Sequence, residues 1–231
     1  MSVLIVVSHP DDEVLGCGAT GAALAAAGIP VRSVILCAGV DARGARPADQ
    51  DLRADTLRAQ EILGFGPPVL GPFPNIRLNT VPHLDLVQFI ERAIIETAAT
   101  TIFTHHPGDI NDDHVHTARA CLPAARLFQR RKDVPALKRL LYMEILSSTD
   151  WSFPGAGARF QPDTFFEAGP NLDRKIEALR AYRGVMREFP HPRSDEILRG
   201  LAALRGGQAG LRHAEAFQTA FASLTPEDIR A

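Results

Sequence analysis

Cysteine is scarce in this chain. Cys17, Cys37 and Cys121 form no CxxC and are odd in number, so the simple reading is three reduced thiols in a cytoplasmic protein. Long apolar runs are missing as well: no stretch approaches the ~18 residues that a membrane span requires. The N-terminus, MSVLIVVSHPDD, turns acidic after a few apolar residues. It has neither the basic start nor the long hydrophobic region of a signal peptide. Charge of one sign is also lacking. The formal net charge is −2 and no basic tract occurs, which argues against nucleic acid and against an anionic membrane surface as partners. There is no internal repeat and no low-complexity segment. A chain of 231 residues can bury roughly 70–75% of its unfolded surface, so its core needs no staples. One domain over residues 1–231 is expected.

What is present alternates. SVLIVV, PVRSVILCAG and TTIFTHH are short β-rich apolar runs, and each is followed by a helical pattern. EVLGCGATGAALAAAG is a helix of small residues ended by Gly28, and ADQDLRADTLRAQEIL is amphipathic, with Leu52, Leu57, Ile62 and Leu63 on one side. LDLVQFIERAIIETAA and HVHTARACLPAARLFQRR are further helices. A strand is expected near Leu140 to Leu146, a short one in DTFFEAG, and an irregular insertion near 147–163. The C-terminal part reads as helical. Strand–helix alternation predicts an α/β fold with a mostly parallel sheet between helical layers.

The stretch SHPDDEVLGCGATG, Ser8 to Gly21, carries two incompatible signatures. Gly16, Gly18 and Gly21 spell GxGxxG, and Asp41 stands where a ribose-binding acid would follow. The dinucleotide motif, however, needs its first glycine at the strand's end. Here the strand ends near Val7 and Gly16 falls about two turns into the helix. The place a pyrophosphate would occupy holds Asp11, Asp12 and Glu13, which repel it. The glycines are therefore expected to serve close helix packing.

The alternative is a cation. His9 sits at the strand tip, and the carboxylates of Asp11 and Asp12 exceed what helix capping requires. A second cluster, THHPGDINDDH, also lies between a strand and a helix and holds His105, His106, Asp109, Asp112, Asp113 and His114. In a doubly wound sheet both tips open on the same edge. Two imidazoles and a carboxylate with open positions suit catalytic zinc or non-haem Fe(II), and residue types alone do not choose between them.

Taken together, SHPDDE and GDINDDH resemble the PIG-L/LmbE-like family of metal-dependent N-acetylglucosaminyl deacetylases. The family's (A/S)HPDDE motif is matched in full by Ser8 to Glu13, and its Asp-His pair by Asp113 and His114. LRHAEAF near the C-terminus is close to the family's YAEAF, with His213 at the aromatic position. The resemblance implies a Rossmann-like three-layer fold that binds no dinucleotide. It implies metal ligands His9, Asp12 and His114, with Zn2+ or Fe2+ as the cofactor, and Asp11 as general base. It further implies a small N-acetylated sugar as substrate, and leaves a homo-oligomer open. Many members carry HxxH in the second motif, where this chain has Asn111. His191, in FPHPRS, is the substitute expected to act as acid, with His106 as its rival. Arg53 and Asn75 align with substrate-contacting positions, and Arg193 is expected to be a surface arginine, with contact to a phosphate or nucleotide on an activated sugar as its alternative. The metal-activated water removes the acetyl group in this reading. A hydratase of the same fold and a non-catalytic sugar-binding protein are the alternatives.

Overall fold

The computed structural model describes residues 1–39, 49–153 and 158–226. Asp41 and the rest of the polar loop at 40–48, and the centre of the 147–163 segment, lie outside the described residues. The strands are β1 (Val3–Val7), β2 (Val31–Ile35), β3 (Val69–Leu70), β4 (Thr101–His105), β5 (Arg139–Met143), β6 (Thr164–Glu167) and β7 (Ala214–Ala222). The helices are α1 (Asp12–Ala26), α2 (Asp49–Leu63), α3 (His83–Thr97), α4 (Asp112–Ala125), α5 (Asn171–Ala181) and α6 (Asp195–Ala209). Among the described residues no helix is long and apolar enough to cross a membrane.

The strands form one seven-stranded sheet in the order β3-β2-β1-β4-β5-β7-β6. The first five of these pair in parallel, and β7 pairs antiparallel with both β5 and β6. Alternate side chains of a strand face opposite layers. Val3, Ile5 and Val7 of β1 join a core with residues of α1, α2, α5 and α6. Leu4 and Val6 join a second core with residues of α3 and α4. The result is the three-layer α/β sandwich that the alternating pattern implied.

Three local expectations need correction. The C-terminal part is not wholly helical, because β7 follows α6 and inserts between β5 and β6. Its anchor, Phe217, packs edge-on against Phe103 and Phe166 at centroid distances of 4.8 and 5.6 Å. Leu57 is 46% exposed and faces away from the core side of α2, whereas Leu52 and Leu63 are buried. The fourth helix starts earlier than HVHT, at Asp112, because Asn111 caps it by accepting the Asp113 N–H at 3.0 Å.

The GxGxxG glycines hold α1 close to its neighbours. A Cβ at Gly16 would stand 2.6 Å from Ile145 Cδ1, and one at Gly21 would stand 2.3 Å from Phe65 Cζ. The same helix is clasped from behind by the LRHAEAF strand. Glu215 accepts the Ala19 and Thr20 N–H groups at 3.1 and 2.7 Å, and Lys175 bridges Glu215 and the Leu15 carbonyl at 2.7 Å each.

Candidate active site

The sheet order reverses between β1 and β4. The chain runs outward from β1 to β3, then returns to β4 on β1's other side. Strand tips beside such a switch point open a crevice. His9 follows β1 and the GDINDDH segment follows β4, so the two polar clusters meet there.

The first cluster is held in a strained turn. Asp11 has φ 101°, a left-handed conformation rare for a residue with a Cβ. Its N–H donates to Glu13 Oε2 at 3.1 Å, and its side chain makes no capping bond to α1. The Asp11 carboxylate instead meets Arg193, whose Nη1 lies 2.9 Å from Oδ2 while its Nε donates to Ser147 Oγ at 2.9 Å. Arg193 is thus no surface residue: its side chain is only 14% exposed. Glu13 is fully buried and also accepts from Gln60 Nε2 and Tyr182 Oη at 2.9 and 2.6 Å. Burial pushes its carboxyl up to about 8, against these donors.

The second cluster braces two imidazoles. His9 Nε2 lies 2.9 Å from Asp113 Oδ2, and His114 Nδ1 lies 3.2 Å from Asp109 Oδ2. Asp113 also accepts the Ile76 and Leu78 N–H groups at 2.6 and 3.0 Å, which ties the 76–78 segment to His9. Asp109 accepts from the Ser148 hydroxyl, from Thr149 Oγ1 at 2.7 Å and from the Asn111 N–H at 2.8 Å. Burial opposes the charge of Asp109, yet the His114 contact and these donors hold its carboxyl down to about 2. A ligating histidine with its other nitrogen on a carboxylate is fixed in tautomer and orientation. His105 is fully buried and stacks on His114, with centroids 3.8 Å apart and planes inclined 13°. Its Nε2 accepts the Ser8 N–H at 2.8 Å, and burial pushes its pKa down to about 3. It serves as a neutral platform beneath the second histidine.

The free edges of both braced imidazoles converge on Asp12. His9 Nδ1 and His114 Nε2 lie 3.3 and 3.2 Å from Asp12 Oδ2. His9, Asp12 and His114 offer ligand atoms that all lie within 4.8 Å of one another. The surroundings fit a cation. Burial disfavours a charge on His114, but Asp12 and Asp109 raise its pKa to about 10. Without metal, a proton therefore compensates the converging carboxylates, and a divalent ion meets the same need with the donor set of a catalytic zinc or iron centre.

These residues form the floor of a cavity of about 360 Å³. Asp11, Asn75, Asn111 and His191 line it together with the ligand cluster. Asn75 is buried, its Nδ2 donates to the Gly39 carbonyl at 3.3 Å, and its Oδ1 has no partner among the described residues. The Asn111 Oδ1 is engaged in capping α4. His191 is exposed at the mouth, and its Nδ1 accepts the Arg193 N–H at 3.0 Å. Two expected site residues are placed elsewhere. Arg53 is exposed on α2 and does not line the cavity. His106 is buried beside Tyr142 and Phe160, its Nδ1 accepts the Gly108 N–H at 3.1 Å, and it too is outside the lining. Trp151, 53% exposed and edge-on to Phe153, is likewise not a wall of the cavity. Asp109 and Tyr182 are the contributors that spacing did not single out for a role, and Arg193 meets Asp11 rather than open solvent. Asp109 alone carried a sequence signal, its place within the second cluster.

Comparison with known proteins bears on the fold and the family. Residues 4–125, more than half of the chain, match the family model described as PIG-L, GlcNAc-PI de-N-acetylase. An uncharacterised deacetylase of Escherichia coli K12, YaiS, is 27% identical over 129 residues, which cover 54% of this chain and 68% of that protein. The N,N'-diacetylchitobiose deacetylase of Pyrococcus horikoshii superposes with a TM-score of 0.73 at 17% identity, covering 100% of this chain and 88% of that one. The 4-carboxy-2-hydroxymuconate hydratase GalB of Pseudomonas putida KT2440 superposes with a TM-score of 0.75 at 20% identity, covering 97% and 98%. Structures at such identities share the fold, and the family match carries the assignment. This chain belongs to the PIG-L (GlcNAc-PI de-N-acetylase) family of deacetylases.

Proposed function

We propose that the protein is a metal-dependent N-deacetylase that hydrolyses the acetamido group of an N-acetylglucosamine-type sugar carried on a small glycoside or nucleotide. One observation carries the reading: the Asp11 carboxylate lines the same cavity as the His9, Asp12 and His114 donor set but stands outside that set. A site that only held metal would have no use for it. His9, Asp12 and His114 would hold Zn2+ or Fe2+. A divalent cation there supplies Lewis acidity, lowering the pKa of water from 15.7 to about 7 and polarising a carbonyl oxygen.

The rest falls to the chain's own side chains. Asp11 accepts the proton of the water that adds to the acetyl carbon. Arg193 fixes the carboxylate's orientation, and Glu13 holds its backbone. As the C–N bond breaks, Asp11 returns the proton to the departing nitrogen, giving acetate and a free amine. Burial, then the charges of Arg193 and Arg187, keep the His191 pKa below its ordinary value. With Nδ1 engaged by the Arg193 N–H, His191 acts through its Nε2–H as a hydrogen-bond donor to substrate and not as a proton source. The Nδ2 of Asn111 donates to the developing oxyanion. The Oδ1 of Asn75, without a partner among the described residues, accepts a sugar hydroxyl. Acetate release from a panel of N-acetylglucosaminides, with and without chelator, tests the proposal. Chelator-sensitive release supports it. Bound metal with no release moves the assignment to the hydratase alternative, in which the same activated water adds to a double bond.

A further inference from the structure

Asp11 has an unusual backbone for its place in the chain. It is the N-cap of α1 and has φ 101°. An N-cap aspartate ordinarily takes an extended conformation, and its carboxylate accepts an N–H of the first helical turn. Asp11 does neither. Its left-handed conformation is unfavourable for a residue with a Cβ and persists only where the surroundings impose it. Relaxed to the ordinary cap, the carboxylate would turn onto the start of α1 and away from the cavity that it lines.

A buried chain of hydrogen bonds from β2, α2 and the end of α5 imposes it. The Asp11 N–H donates to Glu13 Oε2 at 3.1 Å. Glu13 Oε1 accepts from Tyr182 Oη at 2.6 Å and from Gln60 Nε2 at 2.9 Å. The Ser33 hydroxyl in turn donates to Gln60 Oε1 at 2.9 Å. Glu13, Tyr182, Gln60 and Ser33 are each no more than 2% exposed, so bulk water does not stand in for a missing member. Tyr182 closes α5, and the segment that it opens returns to Asp11 a second time, as Arg193 on the carboxylate at 2.9 Å. The ring of Tyr182 belongs to the hydrophobic core. Its hydroxyl is the part aimed at Glu13.

We propose that Tyr182 is a positioning residue: through Glu13, and with Gln60 beside it, its hydroxyl holds Asp11 in the left-handed turn and so keeps the carboxylate beside the His9, Asp12 and His114 donor set. That Asp11 moves the proton rests on the deacetylase reading above. Tyr182→Phe keeps the ring and removes the hydroxyl. In the metal-loaded protein it should lower kcat for N-acetylglucosaminides by ~10-fold at unchanged KM and metal content, the worth of one hydrogen bond to a charged group. In an Asp11→Asn background the same change should alter kcat by less than ~2-fold, because the residue through which Tyr182 acts no longer takes the proton. Undiminished kcat in Tyr182→Phe, a raised KM, or an equal loss in both backgrounds overturns the proposal. Amide hydrogen exchange gives a reading that needs no turnover. The Asp11 amide should exchange ~10-fold faster in Tyr182→Phe while the amide of Phe103, in the central strand β4, keeps its wild-type rate. Equal acceleration of both marks plain destabilisation and overturns the role, as does an unchanged Asp11 rate. Gln60→Met removes the other donor to the same Glu13 oxygen and is held to the same outcomes should Tyr182→Phe fail to fold. If no compound releases acetate, the deacetylase reading fails and exchange alone decides whether Tyr182 holds Asp11.

Discussion

Asp113→Asn tests the link between the metal ligands and the loop over them. The Asp113 Oδ2 accepts from both His9 Nε2 and the Ile76 N–H, while Oδ1 accepts the Leu78 N–H. Burial opposes the charge on Asp113, but these three donors hold its carboxyl below the usual range. An asparagine keeps one acceptor oxygen. With that oxygen toward His9 and Ile76, its NH2 faces the Leu78 N–H; turned the other way, it faces two donors. In the better orientation one donor is left unsatisfied, at a cost of ~1–3 kcal/mol. For a chain of this size that is a fall of ~2–12 °C in melting temperature at ~2–4 °C per kcal/mol. Loss of the carboxylate behind His9 should also weaken metal binding by ~10–100-fold. Thermal unfolding of the chelated protein reads the first effect, and competition with a chromophoric zinc chelator reads the second. An Asp113→Asn protein with unchanged melting temperature and zinc affinity would refute the idea that Asp113 braces His9.

Four further outcomes follow from the structure. Glu215→Ala leaves Lys175 buried without its partner and should cost ~3–5 kcal/mol, measured by urea unfolding; Glu215→Ala at wild-type stability would mean that the clasp on α1 is idle. Gly21→Ala drives a methyl into Phe65 and should destabilise by ~1–3 kcal/mol in the same assay without altering acetate release per folded molecule. The thiols of Cys17, Cys37 and Cys121 are all raised by burial, that of Cys121 to about 12. The native protein at pH 8 should therefore resist a thiol-specific chromophore that labels all three in denaturant. A thiol whose folded pKa is raised supports stability fully below its unfolded value near ~8.5 and loses that support as pH rises toward the folded value. Unfolding free energy should accordingly fall through the alkaline range, less steeply in Cys121→Ala, and parallel slopes would remove Cys121 as a cause.

The most local features were the most legible. His9, Asp11 and Asp12 lie on one strand–helix turn, so a single window of sequence already held half of the site, and chain alternation placed the second window at the same sheet edge. The two carboxylates that brace the imidazoles were visible as residues within GDINDDH. Their pairing was not, because Asp113 reaches back to His9 and Asp109 reaches His114 only after α4 docks on the sheet. Arg193 could not be paired with Asp11 at all, since a loop between two C-terminal helices brings it there. β7 escaped for a related reason. Its outer half is exposed, and its inner half owes its conformation to pairing with β5 and β6 rather than to its own apolar pattern. Arg53 aligns with a substrate-contacting position and His106 is the rival acid of the second cluster, but the exposed face of α2 and the burial of His106 behind the strand tip place them off the cavity.

The most direct test of the account is metal content and acetate release measured side by side in the wild-type protein and in Asp11→Asn. Because Asp11 is placed beside the donor set and outside it, the account predicts about one zinc or iron per chain in both proteins, with chelator-sensitive acetate release in the wild type and a loss of at least ~100-fold in the variant. Absence of bound metal after reconstitution with either ion, or undiminished release in Asp11→Asn, would contradict it.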